Sequence, residues 1–68
     1  MPMVTTPQAG QIIDKTSRMV QYLVSEGKLP ALRVTDRNIM LIDLDDLRAT
    51  AAKEGYTFNE EIAAQFVN

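Results

Sequence analysis

Gly27 and Pro30, with two residues between them, limit more than any other feature what this chain can fold into. Glycine takes the left-handed backbone conformation that ends many helices, and proline does not let a helix resume. A helix that reaches Gly27 therefore ends there. The chain is divided into a helical first part and a second part that must be built differently.

Two short helices are predicted before this break. Thr6-Pro7 predicts the start of a helix. A threonine hydroxyl can accept a hydrogen bond from a free amide N–H of the first turn, and proline there has no N–H that would be left unpaired. The first helix is expected over residues 7–13. The second is expected to begin at Ser17, with Thr16 as its N-cap.

The second helix is amphipathic. At about 100° per residue, one side collects apolar residues and the other collects polar ones, with Ser17 at the edge. The apolar side holds Met19, Val20, Leu23 and Val24, and the polar side holds Arg18, Gln21, Tyr22 and Ser25. The apolar side is predicted to face a core, which leaves the polar side available for hydrogen bonding.

The part after Pro30 predicts a β-hairpin and two further helices. Residues 32–35 alternate apolar and polar, residues 36–38 suit a turn, and residues 39–42 are an aliphatic run. Asp43 is expected to cap a third helix that ends at Gly55. A short final helix is expected after Asn59. The fold class is therefore α+β, mainly helical.

Composition excludes several kinds of functional site and bears on where the protein is located. The 68 residues contain no cysteine and no histidine, so disulfides, thiolate or imidazole metal sites and the corresponding nucleophiles are excluded. The chain is predicted not to be an enzyme and to need no cofactor. The aliphatic run 39–42 is too short to span a bilayer, so we expect no membrane partner and a cytoplasmic location.

The acidic residues of the second part invite comparison with a calcium loop. Asp43, Asp45 and Asp46 are followed by Glu54 at the twelfth position counted from Asp43. Arg48 stands where such a loop needs glycine for its sharp turn, and the segment fits a capped helix. No metal site is predicted.

Charge is divided unevenly along the chain. Residues 1–37 carry five basic and three acidic side chains, a net charge of +2. Residues 38–68 carry two basic and six acidic side chains, a net charge of −4. A polyanionic partner is therefore expected to meet the first part, with the acidic part turned away. Taken alone, the same pattern also fits an ordinary solvated surface.

Several short segments, taken together in their order and spacing, resemble one protein family. They are Thr5-Thr6-Pro7-Gln8-Ala9, Thr16-Ser17-Arg18-Met19-Val20, Glu26-Gly27-Lys28-Leu29-Pro30-Ala31, Arg33-Val34 and Ile42-Asp43-Leu44-Asp45-Asp46-Leu47. They are similar to the excisionase-like family of small MerR-type winged helix-turn-helix proteins, which includes phage and transposon excisionases and AlpA-type regulators. The resemblance covers residues 4–54.

The resemblance implies a winged helix-turn-helix in which the second helix enters the major groove and a two-stranded β-hairpin is the wing. Arg37 lies near the expected wing tip. The winged helix-turn-helix domain is expected over residues 1–55. Residues 56–68 lie outside the match and are expected to form a short C-terminal helix packed on the same domain.

Four residues, at three places in the chain, depart from the family pattern. Gly10 stands where the family prefers alanine, which weakens the first helix by up to about 1 kcal/mol. Asp14-Lys15 replaces the glycine and small aliphatic residue that are usual in the turn. Ser17 stands where a second basic residue is common. Fewer positive charges imply weaker DNA binding by each subunit.

The resemblance and the helical wheel select the same face of the second helix. Arg18 is suited to guanine and Gln21 to adenine, because their side chains fork onto those base edges. Tyr22 either reaches the DNA or covers the edge of the core. The candidate DNA-binding residues are Lys15, Thr16, Ser17, Arg18, Gln21, Tyr22, Lys28, Arg33 and Arg37. Their five cations limit the logarithmic salt slope of binding to about −4 or −5.

The resemblance implies sequence-specific binding of double-stranded DNA by a transcriptional regulator or a recombination directionality factor, associated with the nucleoid. Because a lone subunit binds weakly, a homo-oligomer, a cooperative array on DNA or a recombinase partner is expected. The alternative is a protein-interaction adaptor that keeps the fold and binds DNA poorly. It would use the acidic part and the face formed by Phe58, Ile62 and Phe66, although these side chains are expected to pack over the third helix instead.

Overall fold

The computed structural model describes residues 2–33 and 40–66 of the chain. Four helices and three strands follow one another along these described residues. They are β1 (Met3–Thr5), α1 (Thr6–Ile12), α2 (Ser17–Ser25), β2 (Leu32–Arg33), β3 (Met40–Asp43), α3 (Leu44–Glu54) and α4 (Glu60–Phe66). The α+β, mainly helical class expected from the sequence is confirmed.

The first helix begins one residue earlier than predicted, because Thr5 and not Thr6 is its N-cap. Thr5 Oγ1 accepts from the Gln8 N–H at 3.4 Å, and Gln8 Oε1 accepts from the Thr5 N–H at 3.0 Å. This reciprocal capping box needs a side-chain acceptor three residues after the cap. Counting from Thr6, that position is Ala9, which has none. The helix also ends at Ile12, one residue before the predicted end.

The sheet has three antiparallel strands in the order β1-β3-β2, where a two-stranded hairpin was expected. Strands β2 and β3 pair as the hairpin prediction requires, with Leu32 opposite Leu41. The predicted turn, residues 36–38, lies outside the described residues, as does Arg37. The missed strand β1 covers the other edge of β3, with Val4 opposite Ile42 and both side chains fully buried.

Helix α3 begins and ends where the sequence predicts, and α4 begins after the predicted cap, Asn59. Asp43 Oδ1 accepts from the Asp45 and Asp46 N–H groups at 2.8 and 3.4 Å and so caps α3. Gly55 ends α3 in the left-handed conformation, with φ of 77°. Asn59 Oδ1 accepts from the Ile62 N–H at 3.0 Å, which caps α4.

The final helix packs against α1, whereas packing over α3 was expected, and α3 meets it through the exposed Arg48–Glu60 ion pair. The Asn59 N–H donates to the carbonyl of Ile12 at 2.8 Å, which ties the start of α4 to the end of α1. Phe58, Ile62 and Phe66 are partly buried against the core. The core lies between the helices and the sheet and contains Val4, Ala9, Ile12, Ile13, Val20, Leu23, Leu29, Ile42, Leu44, Leu47, Ala51 and Ala63. None of the helices within residues 2–33 and 40–66 has the length and apolar character to cross a membrane.

Candidate nucleic-acid interface

Helix α2 has well-defined ends, which fix where its side chains point. Thr16 Oγ1 accepts from the Met19 N–H at 3.1 Å, so the predicted N-cap is confirmed. At the other end Gly27 has φ of 74°. The Gly27 and Lys28 N–H groups donate to the carbonyls of Val24 and Leu23 at 3.1 and 3.0 Å. This Schellman arrangement closes the helix where the sequence predicts.

The predicted division of α2 into two faces is confirmed. Val20 and Leu23 are buried in the core, and the side chains of Arg18 and Gln21 are exposed. Tyr22 is 50% exposed, so its ring does not belong to the core. Within residues 2–33 and 40–66, neither Arg18 nor Gln21 has a side-chain hydrogen bond or an ion pair. The outward face therefore presents unengaged donors and acceptors at a helix N-terminal half.

The turn between α1 and α2 is closed by backbone contacts. Asp14 takes a left-handed conformation, with φ of 58°, which aspartate tolerates better than most residues. The Lys15 N–H donates to the carbonyl of Gly10 at 2.8 Å. The backbone of the turn comes so near that a Cβ on Gly10 would lie 2.7 Å from the Lys15 oxygen. Asp14-Lys15 therefore forms a closed turn between α1 and α2.

Among the described residues, the C-terminal segment meets this turn through Tyr56, while Arg18, Gln21 and Tyr22 on the outward face of α2 are exposed. Lys15 is exposed, and its Nζ lies 4.8 Å from the centre of the Tyr56 ring. A cation at this distance over an aromatic face is attracted by the ring. Tyr56 is itself held by its N–H, which donates to the carbonyl of Ala51 at 2.8 Å.

The remaining candidate residues are placed less uniformly. Thr16 is exposed with its hydroxyl engaged in the cap, and Ser17 is half-buried. Lys28 Nζ lies 3.6 Å from Glu54 Oε1, an ion pair at the surface. Arg33 is exposed on β2, and Arg37 lies outside the described residues. The structure thus groups the residues of α2 and its preceding turn, whereas Lys28 already has an acidic neighbour.

The start of α3 carries three acidic side chains, those of Asp43, Asp45 and Asp46, while Asp14 and Glu26 flank α2. Arg48 holds Glu60 through two hydrogen bonds, from Nε at 3.1 Å and from Nη2 at 2.9 Å, and lies 4.8 Å from the Phe58 ring centre. The hydrogen bond from Arg48 lowers the pKa of Glu60, and the bond to Glu60 raises the pKa of Arg48. These exposed groups join α3 to α4 and leave α2 untouched.

Sequence reasoning missed three features of this region. The close approach at Gly10, the contact of Lys15 with Tyr56 and the strand β1 all join residues that are distant in the chain or depend on the path of the backbone. A Val-Thr pair before a helix cap is a weak strand signal. No signal in the sequence points to the other two.

Comparison with known proteins does not identify the chain. No protein-family model matches it, and no curated protein and no solved structure is significantly similar to it.

Proposed function

We propose that the protein binds double-stranded DNA sequence-specifically through the outward face of α2, and that it does so without catalysing a reaction. The observation that carries the proposal is the exposure of Arg18, Gln21 and Tyr22 together on one helix face. The C-terminal helix, which was the segment most able to cover that face, packs on α1 instead.

The chemistry of this face suits base edges. The Arg18 guanidinium is a fork of donors for the two acceptors of guanine, and the Gln21 amide offers one donor and one acceptor to adenine. Each good pair discriminates against a wrong base by about 1–3 kcal/mol. Arg18 is the second and Gln21 the fifth of the nine residues of α2, and the N-terminal part of a recognition helix is the part that reaches the bases.

Phosphate contacts are expected at the edge of this face. Lys15 and Thr16 precede the helix, where the helix dipole also favours an anion. Arg33 and Arg37 are assigned to the backbone through the wing. Lys28 takes part only if its surface ion pair with Glu54 opens, which costs at most about 1 kcal/mol.

Few cations mean that one subunit binds weakly. Five contacts give a logarithmic salt slope no steeper than about −5, so useful affinity requires a dimer, a cooperative array or a protein partner such as a recombinase. Regulation of transcription and direction of recombination both employ such a surface. Either role places the protein on cytoplasmic, nucleoid-associated DNA.

The test is selection of bound duplexes from a random pool, followed by fluorescence anisotropy on the selected and a scrambled duplex at several salt concentrations. We expect Arg18→Ala to lower the preference for the selected duplex about tenfold, which corresponds to about 1.4 kcal/mol within the range for one base contact. Lys53→Ala is the control of equal charge, because Lys53 is an exposed cation of α3 outside the candidate DNA-binding residues.

Both variants remove one positive charge, so a difference between them reports the base contact of Arg18 and not the change in net charge. If Arg18→Ala and Lys53→Ala reduce binding equally on both duplexes, the assignment of α2 is wrong. If the unmodified protein fails to bind any duplex at tens of micromolar in low salt, the proposal as a whole is wrong.

A further inference from the structure

An open groove of about 200 Å³ lies where the sheet meets the start of α3, and both parts of the chain line it. Its walls are apolar and its end is acidic. The lining residues are Met3, Pro30, Ala31, Leu32, Asp43 and Asp46. None of these is basic, and none belongs to the outward face of α2. The groove is therefore a feature separate from the proposed DNA surface.

Asp43 has one carboxylate oxygen that the fold uses and one that it does not. Oδ1 accepts from two backbone N–H groups as the cap of α3. The residue is only 9% exposed, and Oδ2 is buried without a hydrogen-bond partner. A buried acceptor left unpaired costs free energy, which a donor supplied from outside recovers. The cap alone explains Oδ1 and leaves Oδ2 unexplained.

Asp46 supplies a second carboxylate in the same groove. Its side chain is exposed and has no ion pair among residues 2–33 and 40–66. Two carboxylates are too few for a divalent cation, and the described residues contain no group of three acidic or other metal-binding side chains. A cation that brings its own apolar body is a better fit to the groove.

From these observations we propose that the groove is a docking site for an arginine side chain of a protein partner. The aliphatic part of the arginine lies along Pro30 and Leu32, which is 55% exposed and so offers an apolar contact surface. The planar guanidinium then donates to Asp43 Oδ2 and to the Asp46 carboxylate at once. A lysine ammonium is a single point charge and does not present such a fork.

Met3 makes entry feasible. Its side chain is half-buried in the wall of the groove. Because methionine is unbranched and flexible, it can change rotamer and give the guanidinium access to Asp43 Oδ2. The neighbouring Arg33 is not placed to fill the groove itself, because successive residues of a strand project to opposite faces and Leu32 is the one that lines it. Charge complementarity thus favours a basic segment from another protein.

The test is titration of the ¹⁵N-labelled full chain with the blocked peptide Gly-Arg-Gly, followed by NMR. We expect saturable shifts of the amides of residues 44–46, 3 and 32. The same peptide with citrulline, which keeps the shape and loses the charge, is expected to produce no saturable shift, and the lysine peptide is expected to bind more weakly.

Variants of the two carboxylates sharpen the result. Asp43→Asn keeps a capping side chain, but its amide turns a donor toward the guanidinium, so the peptide is expected to bind about tenfold more weakly. Asp46→Asn is expected to weaken binding roughly threefold to fivefold. Glu61→Gln, an exposed carboxylate of α4 outside the lining and without an ion pair among residues 2–33 and 40–66, removes the same charge and is expected to leave the dissociation constant unchanged.

Three outcomes would overturn the proposal. Equal shifts with citrulline would show that charge is irrelevant, and equal weakening by Glu61→Gln and Asp46→Asn would show only general attraction. Shifts of the same amides on diluting the protein without peptide would show that the groove is occupied by a second copy of the chain. Binding of DNA is measured separately, because the groove proposal does not depend on the proposed DNA surface of α2.

Discussion

Replacement of Gly10 by alanine sets helix propensity against packing, and the structure predicts which effect wins. Gly10 lies inside α1, where alanine is about 1 kcal/mol more favourable than glycine on propensity alone. A Cβ at this position would lie 2.7 Å from the Lys15 carbonyl oxygen, 3.1 Å from the Thr16 carbonyl carbon and 3.2 Å from the Ser17 nitrogen. All three are backbone atoms, so no side-chain rotation relieves the contacts.

Overpacking of a core costs about 1–3 kcal/mol, and the upper part of this range applies when backbone must move. Subtracting the propensity gain of about 1 kcal/mol leaves a net destabilisation of about 1–2 kcal/mol. For a domain of this size, that lowers Tm by roughly 5–15 °C. The strain falls on the Lys15–Gly10 hydrogen bond and on the start of α2.

The assay is thermal and urea unfolding followed by circular dichroism, with Gln11→Ala as the control. Gln11 is the next residue of the same helix and is exposed, so its replacement changes propensity little and creates no contact. We expect the control to stay within about 0.5 kcal/mol of the unmodified protein. A Gly10→Ala protein more stable than the unmodified one would refute the close approach of α1 to the turn.

Three further changes test other parts of the fold. Thr50→Val removes the 3.2 Å hydrogen bond from Thr50 Oγ1 to the Lys28 carbonyl and is expected to lower the urea-derived unfolding free energy by about 1 kcal/mol. Thr16→Ala removes the cap of α2 and is expected to cost about 1 kcal/mol in the same measurement, most of which Thr16→Asn should restore. Because bonding to Arg48 lowers the folded-state pKa of Glu60, its contribution is present above the ordinary glutamate pKa and is lost as the pH falls through the lowered value. Glu60→Gln should therefore reduce the loss of stability at acidic pH. An unchanged dependence of Tm on pH, from thermal unfolding at several acidic pH values, would contradict that ion pair.

The local signals of the sequence were sufficient for most helix ends. Thr16, Gly27, Asp43 and Gly55 all act as predicted, because a cap or a left-handed glycine depends on a few neighbouring residues. The start of α1 was wrong by one residue for a reason of the same kind. Two threonines compete there, and only Thr5 has a glutamine three residues later to complete the capping box.

In the candidate site, too, some features follow from local sequence and others do not. The outward position of Arg18 and Gln21 follows from helical periodicity and from a core that takes the opposite side. The surroundings of Lys15 and Lys28 do not follow from periodicity. Their neighbours, Tyr56 and Glu54, are brought to them by the path of distant segments.

The sequence by itself determined the order of helices, their caps and the polar face of α2, because each depends on bonds or spacings within about four residues. Tertiary structure alone decided that β1 completes the sheet, that α4 lies on α1, and that Gly10 has no room for a side chain. It also decided that Asp43 ends with one oxygen buried and unpaired. These features arise where separate segments meet, and the free energy of such contacts depends on geometry that no local pattern encodes.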